Sequence, residues 1–141
     1  MFSKILLAVD GSDHAQRAAK VAGDLARVVN AEELRIIVTY PPIPASLGEP
    51  NLSKIIAERT QESDEILQKA VEVAGDFADG VVHTEALEGD TADAILRVAD
   101  ARQSDVIVMG SRGRSGLASL LLGSNSQKVV SNAPCPVLIV K

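Results

Sequence analysis

Tryptophan is absent from these 141 residues, aromatic side chains make up 2%, and there is one cysteine, Cys135. Stacking platforms for single-stranded nucleic acid are therefore nearly missing. Neither an internal disulfide framework nor a paired-cysteine metal knuckle can be built, and two histidines, His14 and His83, are too few for a histidine-rich metal centre. No apolar run approaches the roughly 20 residues that span a bilayer. The apolar stretch after Lys4 ends at the charged Asp10, so neither direct membrane insertion nor a secretion signal is expected. Nineteen acidic against fourteen basic residues give a formal charge of −5, which disfavours nucleic acid and anionic membrane surfaces as partners. Two phosphate-binding fingerprints are also missing: there is no GxxxxGK[ST] run, and the first turn reads Asp10-Gly11-Ser12-Asp13 instead of GxGxxG. A standard P-loop nucleotidase or dinucleotide oxidoreductase is thereby disfavoured. What remains is a cytoplasmic protein of one domain, residues 1–141, long enough to bury roughly 68 per cent of its unfolded surface.

The segments present alternate between two periodicities. Lys4 to Asp10 is almost continuously apolar, the pattern of a strand covered on both faces. Asp13 stands where a helix cap belongs, and Ala15, Ala18, Ala19, Ala22, Leu25, Ala26 and Val29 recur at helical steps until Asn30, a residue that tolerates the left-handed turn of a helix end. Leu34–Tyr40 reads as a second strand, followed by a proline-broken loop and a helix over 52–77. Val81–Leu87 reads as a less deeply covered strand, and Asp90 as the cap of a helix over 91–99. Val106–Gly110 is a short central strand, 124–132 a helix stopped by Pro134, and Val137–Val140 the last strand. Five strands alternating with four helices predict a three-layer α/β fold around an open parallel sheet with right-handed crossovers.

The run Gly110-Ser111-Arg112-Gly113-Arg114-Ser115-Gly116, followed by Gly123-Ser124-Asn125-Ser126, leaves a buried strand at its carboxyl end and opens a helix. Ligands bind at that edge of an open α/β sheet. Glycines let main-chain N–H groups approach an anion, a helix start supplies unpaired donors, and Ser124 and Ser126 could add hydroxyls. The competing reading is equally simple: Gly110 ends a strand, Gly123 starts a helix, and no ligand is involved. Arg112 and Arg114 could reach phosphate oxygens or stay solvated. His14 and His83 are expected to face solvent, and Cys135, between two prolines, suits a turn better than a nucleophile.

These segments resemble the universal stress protein family, in particular its nucleotide-binding branch, over residues 1–141. The signature G-x2-G-x9-G-[ST] is met by Gly110, Gly113, Gly123 and Ser124, and both the opening Ile5–Ser12 and the ending Ala133–Val140 are similar to the family's. The resemblance implies a Rossmann-like sheet of strand order 3-2-1-4-5 and a stress or regulatory protein that acts through a bound adenine nucleotide: ATP, or ADP or AMP, with Mg2+ as a companion ion. It implies that Asp10 contacts ribose or the base edge, that Val38 meets adenine through its backbone, and that Gly110 passes the ribose. Gly113, Gly123, Ser124 and Ser126 would surround the phosphates. Asn125 departs from the small apolar residue common there, and its amide would add a contact or crowd the site. The resemblance further implies a homodimer through residues 137–140 and a membrane transport system among the regulated partners. No general base or catalytic lysine is evident, so at most slow ATP hydrolysis is compatible with the sequence. The alternative is a nucleotide-free interaction protein on the same fold.

Overall fold

A computed structural model describes residues 1–77, 80–112 and 122–141. Its elements are β1 (Lys4–Ala8), α1 (Asp13–Val29), β2 (Glu33–Tyr40), α2 (Asn51–Ala74), β3 (Val81–Glu88), α3 (Thr91–Ala101), β4 (Val106–Gly110), α4 (Ser124–Asn132) and β5 (Val137–Val140). The strands form one five-stranded parallel sheet in the order β3-β2-β1-β4-β5, as the sequence predicts.

Continuity of apolar residues in the central strands follows from cover on both faces. Ile5, Leu7, Leu34, Ile36, Val38, Val106 and Val108 pack with the alanine stripe of α1 and with Leu67, Ala70 and Ala74 of α2. Leu6, Ile37, Ile107 and Met109 point to the other side, against Ala92, Ile95 and Ala99 of α3 and Val129 of α4. Each fully buried Leu or Ile contributes about 1.5–3 kcal/mol relative to exposure, so these strands are the main source of stability. The alanines, and Gly23 among them, bring α1 so near that an added Cβ at Gly23 would run into the carbonyl oxygen of Ala74 in α2.

Three helix ends differ from or sharpen the sequence reading. The cap of α1 is Ser12, not Asp13: the Ser12 hydroxyl accepts from the Ala15 N–H at 3.2 Å, while Asp10 Oδ1 accepts from the Ser12 N–H at 2.9 Å. Asp13 becomes the first helical residue, because the loop is set by the side chain of Asp10. Replacing Ser12 by Ala is expected to lower stability by about 1 kcal/mol in denaturant unfolding, with Asp13→Ala costing less. Asn30 closes α1 with φ 53°, as expected, its N–H donating to Ala26 O. α2 stops at Ala74 instead of reaching Phe77, because Gly75 takes φ +74° and its N–H caps Val71 O; Phe77 still packs into the core from outside the helix.

Candidate functional site

Strand order reverses at the centre of the sheet, where β1 is flanked by β2 on one side and β4 on the other. The loops leaving β1 and β4 must diverge there, and a crevice opens at the carboxyl ends of the strands. It encloses about 400 Å³. Of the residues predicted from sequence, Asp10, Val38, Gly110, Arg112, Gly123, Ser124, Asn125 and Ser126 all line it. Gly113 and Arg114 lie outside the described residues.

The floor between β1 and β2 has a defined main-chain polarity. Ile37 O accepts from Val9 N–H at 3.0 Å, and Tyr40 O accepts from Gly89 N–H at 2.9 Å beyond β3. Main-chain groups alternate sides along a strand. Those of Val38 therefore point to β3, and those of Thr39 point to the β1 side, past the end of the β1 ladder. Val38 offers the crevice a buried apolar wall, but the main-chain donor and acceptor that face the β1 side belong to Thr39. A backbone contact made from the β1 side of the crevice would therefore fall to Thr39. The sequence could not show it, because parity depends on how β2 registers with both neighbours. Thr39 Oγ1 sits 2.7 Å from Thr91 Oγ1, joining the second strand to the start of α3.

At the opposite end, α4 begins at Gly123, whose φ of −62° and ψ of 161° are those of an ordinary cap residue but which carries no side-chain acceptor. The cap residue itself thus offers the N–H groups of the first turn no side-chain acceptor, while Ser124 and Asn125 are exposed toward the crevice. Ser126 behaves differently from its prediction. It is buried, and its hydroxyl donates to the carbonyls of Gly110 at 3.0 Å and Ser111 at 3.2 Å. Its side chain fastens α4 to the end of β4 instead of offering a proton to a ligand.

Ser111 is the hub of that fastening. Its N–H donates to Val140 O at 2.8 Å, its carbonyl accepts from Gly123 N–H at 2.8 Å, and its hydroxyl lies 3.0 Å from His14 Nδ1. His14 is therefore engaged by the β4 loop instead of facing solvent freely. Gly110 has the same explanation: an added Cβ would come within 2.8 Å of His14 Cβ and 3.0 Å of its carbonyl carbon, so the glycine admits the first turn of α1. Lys128 holds the far side of α4, 2.6 Å from Asp93 Oδ1 and 3.6 Å from Asp90 Oδ2. The Asp93 carboxylate raises the Lys128 pKa, and the Asp93 N–H, aided by Lys128, lowers that of Asp90. Because the Asp90 pKa is depressed on folding, its contribution is present above the ordinary carboxylate range and is lost as pH falls through its folded value.

Sequence reasoning missed the roof. Arg59, Glu62, Ser63 and Ile66 of α2 overhang the crevice, with Arg59 Nη1 3.4 Å from Glu62 Oε2. They are 49 or more residues from Asp10 along the chain, and no local motif marks them. His83 is exposed on β3 as expected, though Nε2 lies 3.4 Å from Glu33 Oε1. Cys135 is part-buried, and burial, with the Asp105 charge, pushes its thiol pKa up, which disfavours the nucleophilic thiolate. No group of three or more His, Cys, Asp or Glu side chains is arranged to hold a metal among the described residues. No helix among them is long and apolar enough to cross a membrane.

An open, doubly wound parallel sheet with a crevice at its switch point, one end lined by a glycine-capped helix start, defines the ligand-binding class of α/β domains. The family model described as "Universal stress protein family" matches residues 1–141, and the chain belongs to that family. It is 43% identical over 141 residues to a universal stress protein of Thermus aquaticus, covering 100% of both chains. Among solved structures it is similar to UspA from Lactobacillus plantarum, with 29% identity, a TM-score of 0.83 and 99% and 98% of the two chains covered. It is also similar to a universal stress protein solved in complex with cAMP (28%, TM-score 0.71, 97% and 95% covered). The universal stress protein from Archaeoglobus fulgidus in complex with dAMP matches at 25% identity and TM-score 0.67, with 100% of each chain covered.

Proposed function

We propose that this protein binds an adenine nucleotide in the crevice and acts as a stress or regulatory protein through its bound state. The observation that carries the reading is that Asp10, Gly110 and the start of α4, whose cap is a glycine, face a single cavity at the switch point. The complexes of similar proteins with cAMP and dAMP support adenine as the base. In this arrangement Asp10 accepts from ribose hydroxyls, the main chain of Thr39 and the wall of Val38 meet the base, and Gly110 keeps the strand end close to the sugar. The N–H groups of Ser124, Asn125 and Ser126 receive phosphate oxygens, joined by the Ser124 hydroxyl, the Asn125 amide and the Arg112 guanidinium. Gly113 belongs to the same loop by the family signature. ATP, ADP and AMP share this chemistry. Mg2+ would enter with the phosphates of ATP, held by them more than by a protein cage.

The same reading takes residues 1–141 as one domain in the cytoplasm, paired with a second copy through β5, whose short edge carries neither Pro nor charge. A regulated partner such as a transport system would sense the nucleotide state. Calorimetry with AMP, ADP, ATP and cAMP tests the central claim. Wild type is expected to bind, and Asp10→Ala is expected to weaken binding ten- to a hundredfold, the value of about 1.5–3 kcal/mol for a charge-assisted bond. Wild type that binds none of the four, with or without magnesium, would transfer the assignment to a nucleotide-free interaction protein.

A further inference from the structure

The edge of the sheet opposite β5 is formed by β3, eight residues long and paired to β2 without a bulge from Val81 to Glu88. Val81 N–H donates to Glu32 O and Gly89 N–H to Tyr40 O, each at 2.9 Å, so odd-numbered residues face β2. The main-chain groups of Val82, Thr84, Ala86 and Glu88 therefore point outward. Val81 is 52% and Val82 39% exposed, and His83, Thr84, Ala86 and Glu88 are exposed too. A long, continuously paired, proline-free edge with apolar side chains is a template for another strand.

The side chains select which strand. Antiparallel pairing with a second copy about a two-fold axis at Thr84 sets Thr84 against Thr84 of the partner subunit. His83 then lies opposite Glu85 of the partner subunit, Val82 opposite Ala86 of the partner subunit, and Val81 opposite Leu87 of the partner subunit. Each side chain meets one of matching character, and each pair off the axis occurs twice. An axis at Glu85 would bring two carboxylates face to face, and an axis at His83 would set Val81 against a carboxylate; like charges directly opposite are unfavourable. The carboxylate that must receive the imidazole is already positioned: Arg35, buried beneath the strand, holds Glu85 Oε1 at 2.7 Å, and Glu33 lies 3.4 Å from His83 Nε2. A carboxylate has lone pairs to spare for both partners. Because α2 packs over β2 and β3, the α2 helices of the two copies would lie side by side on one face of the joined sheet.

We propose that β3 is a self-association edge, pairing antiparallel with β3 of a second copy in the register centred on Thr84. This contact is independent of the nucleotide and of β5. Since the axis residue meets itself, Thr84→Lys and Thr84→Glu should each weaken association at least tenfold by sedimentation velocity, and mixing the two in equal amounts should restore it. Thr84 is exposed, so both variants should melt close to wild type, which is checked first. As a second readout, Thr84→Cys in a Cys135→Ser background should form a disulfide-linked dimer under mild oxidation. A wild type that stays monomeric at every concentration overturns the proposal. So does association unchanged in both charge variants, which would place it elsewhere, or the lack of recovery on mixing two folded variants.

Discussion

Gly123→Asp is expected to leave the fold intact while lowering adenine-nucleotide affinity more than a hundredfold. Gly123 occupies the cap position of α4 with φ −62° and ψ 161°, a conformation open to any L-residue, so no backbone strain is introduced. Aspartate is among the best cap residues and exceeds glycine by a few tenths of a kcal/mol, so stability should hold or rise slightly. Its carboxylate would take the same first-turn N–H groups that a phosphate needs and place a negative charge where the ligand's must sit. Loss of two charge-assisted hydrogen bonds alone is worth about 3 kcal/mol or more, over a hundredfold in affinity. Gly123→Ala separates shape from charge: the methyl caps nothing and carries no charge, so any loss it shows measures crowding of the phosphate approach. Circular dichroism and calorimetry on the three proteins decide the matter. Wild-type affinity in the folded aspartate variant would move the phosphates away from α4.

Gly23→Ala should lower stability by about 1–2 kcal/mol and the melting temperature by about 3–6 °C, although alanine is the better helix former. In an unconstrained helix the exchange would gain about 0.8–1.0 kcal/mol. Here the new Cβ meets the carbonyl oxygen of Ala74, a main-chain atom that cannot rotate away. Moving α2 outward would also strain the Arg27 Nη1 bonds to Ala74 O at 2.8 Å and Asp76 O at 3.0 Å. Overpacking of this kind costs about 1–3 kcal/mol, and against a main-chain oxygen the upper part of that range outweighs the propensity gain. The effect should reach the site, because α2 carries Arg59, Glu62, Ser63 and Ile66 over the crevice. A differential scanning measurement that finds Gly23→Ala more stable than wild type would show that the two helices slide apart without penalty.

Helix and strand identity was legible because each rests on local spacing: the alanine stripe of α1, the both-faced apolar runs of β1 and β4, Asp90 as the cap of α3 and Asn30 as the stop of α1. The strand order came from the family resemblance together with the alternation of elements, and the register bears it out. Helix ends are harder to place, because they depend on single side chains and backbone angles that spacing does not show: Asp10 reaches forward to Ser12 N–H and makes Ser12 the cap in place of Asp13, and Phe77 continues the apolar stripe after Gly75 has ended α2.

The sequence by itself determined the alternating elements, the acidic balance and the glycine-spaced loop before α4, since these follow from side-chain size, polarity and spacing over a few residues. Only the tertiary structure decided that Ser126 turns inward to the Gly110 and Ser111 carbonyls, that Thr39 and not Val38 directs its main chain to the β1 side, and that α2 supplies the roof of the crevice. Each of these is a relation between neighbours that the fold, not the chain, brings together. A hydroxyl or a main-chain amide has no preferred partner until register and packing fix which acceptor lies within hydrogen-bond reach.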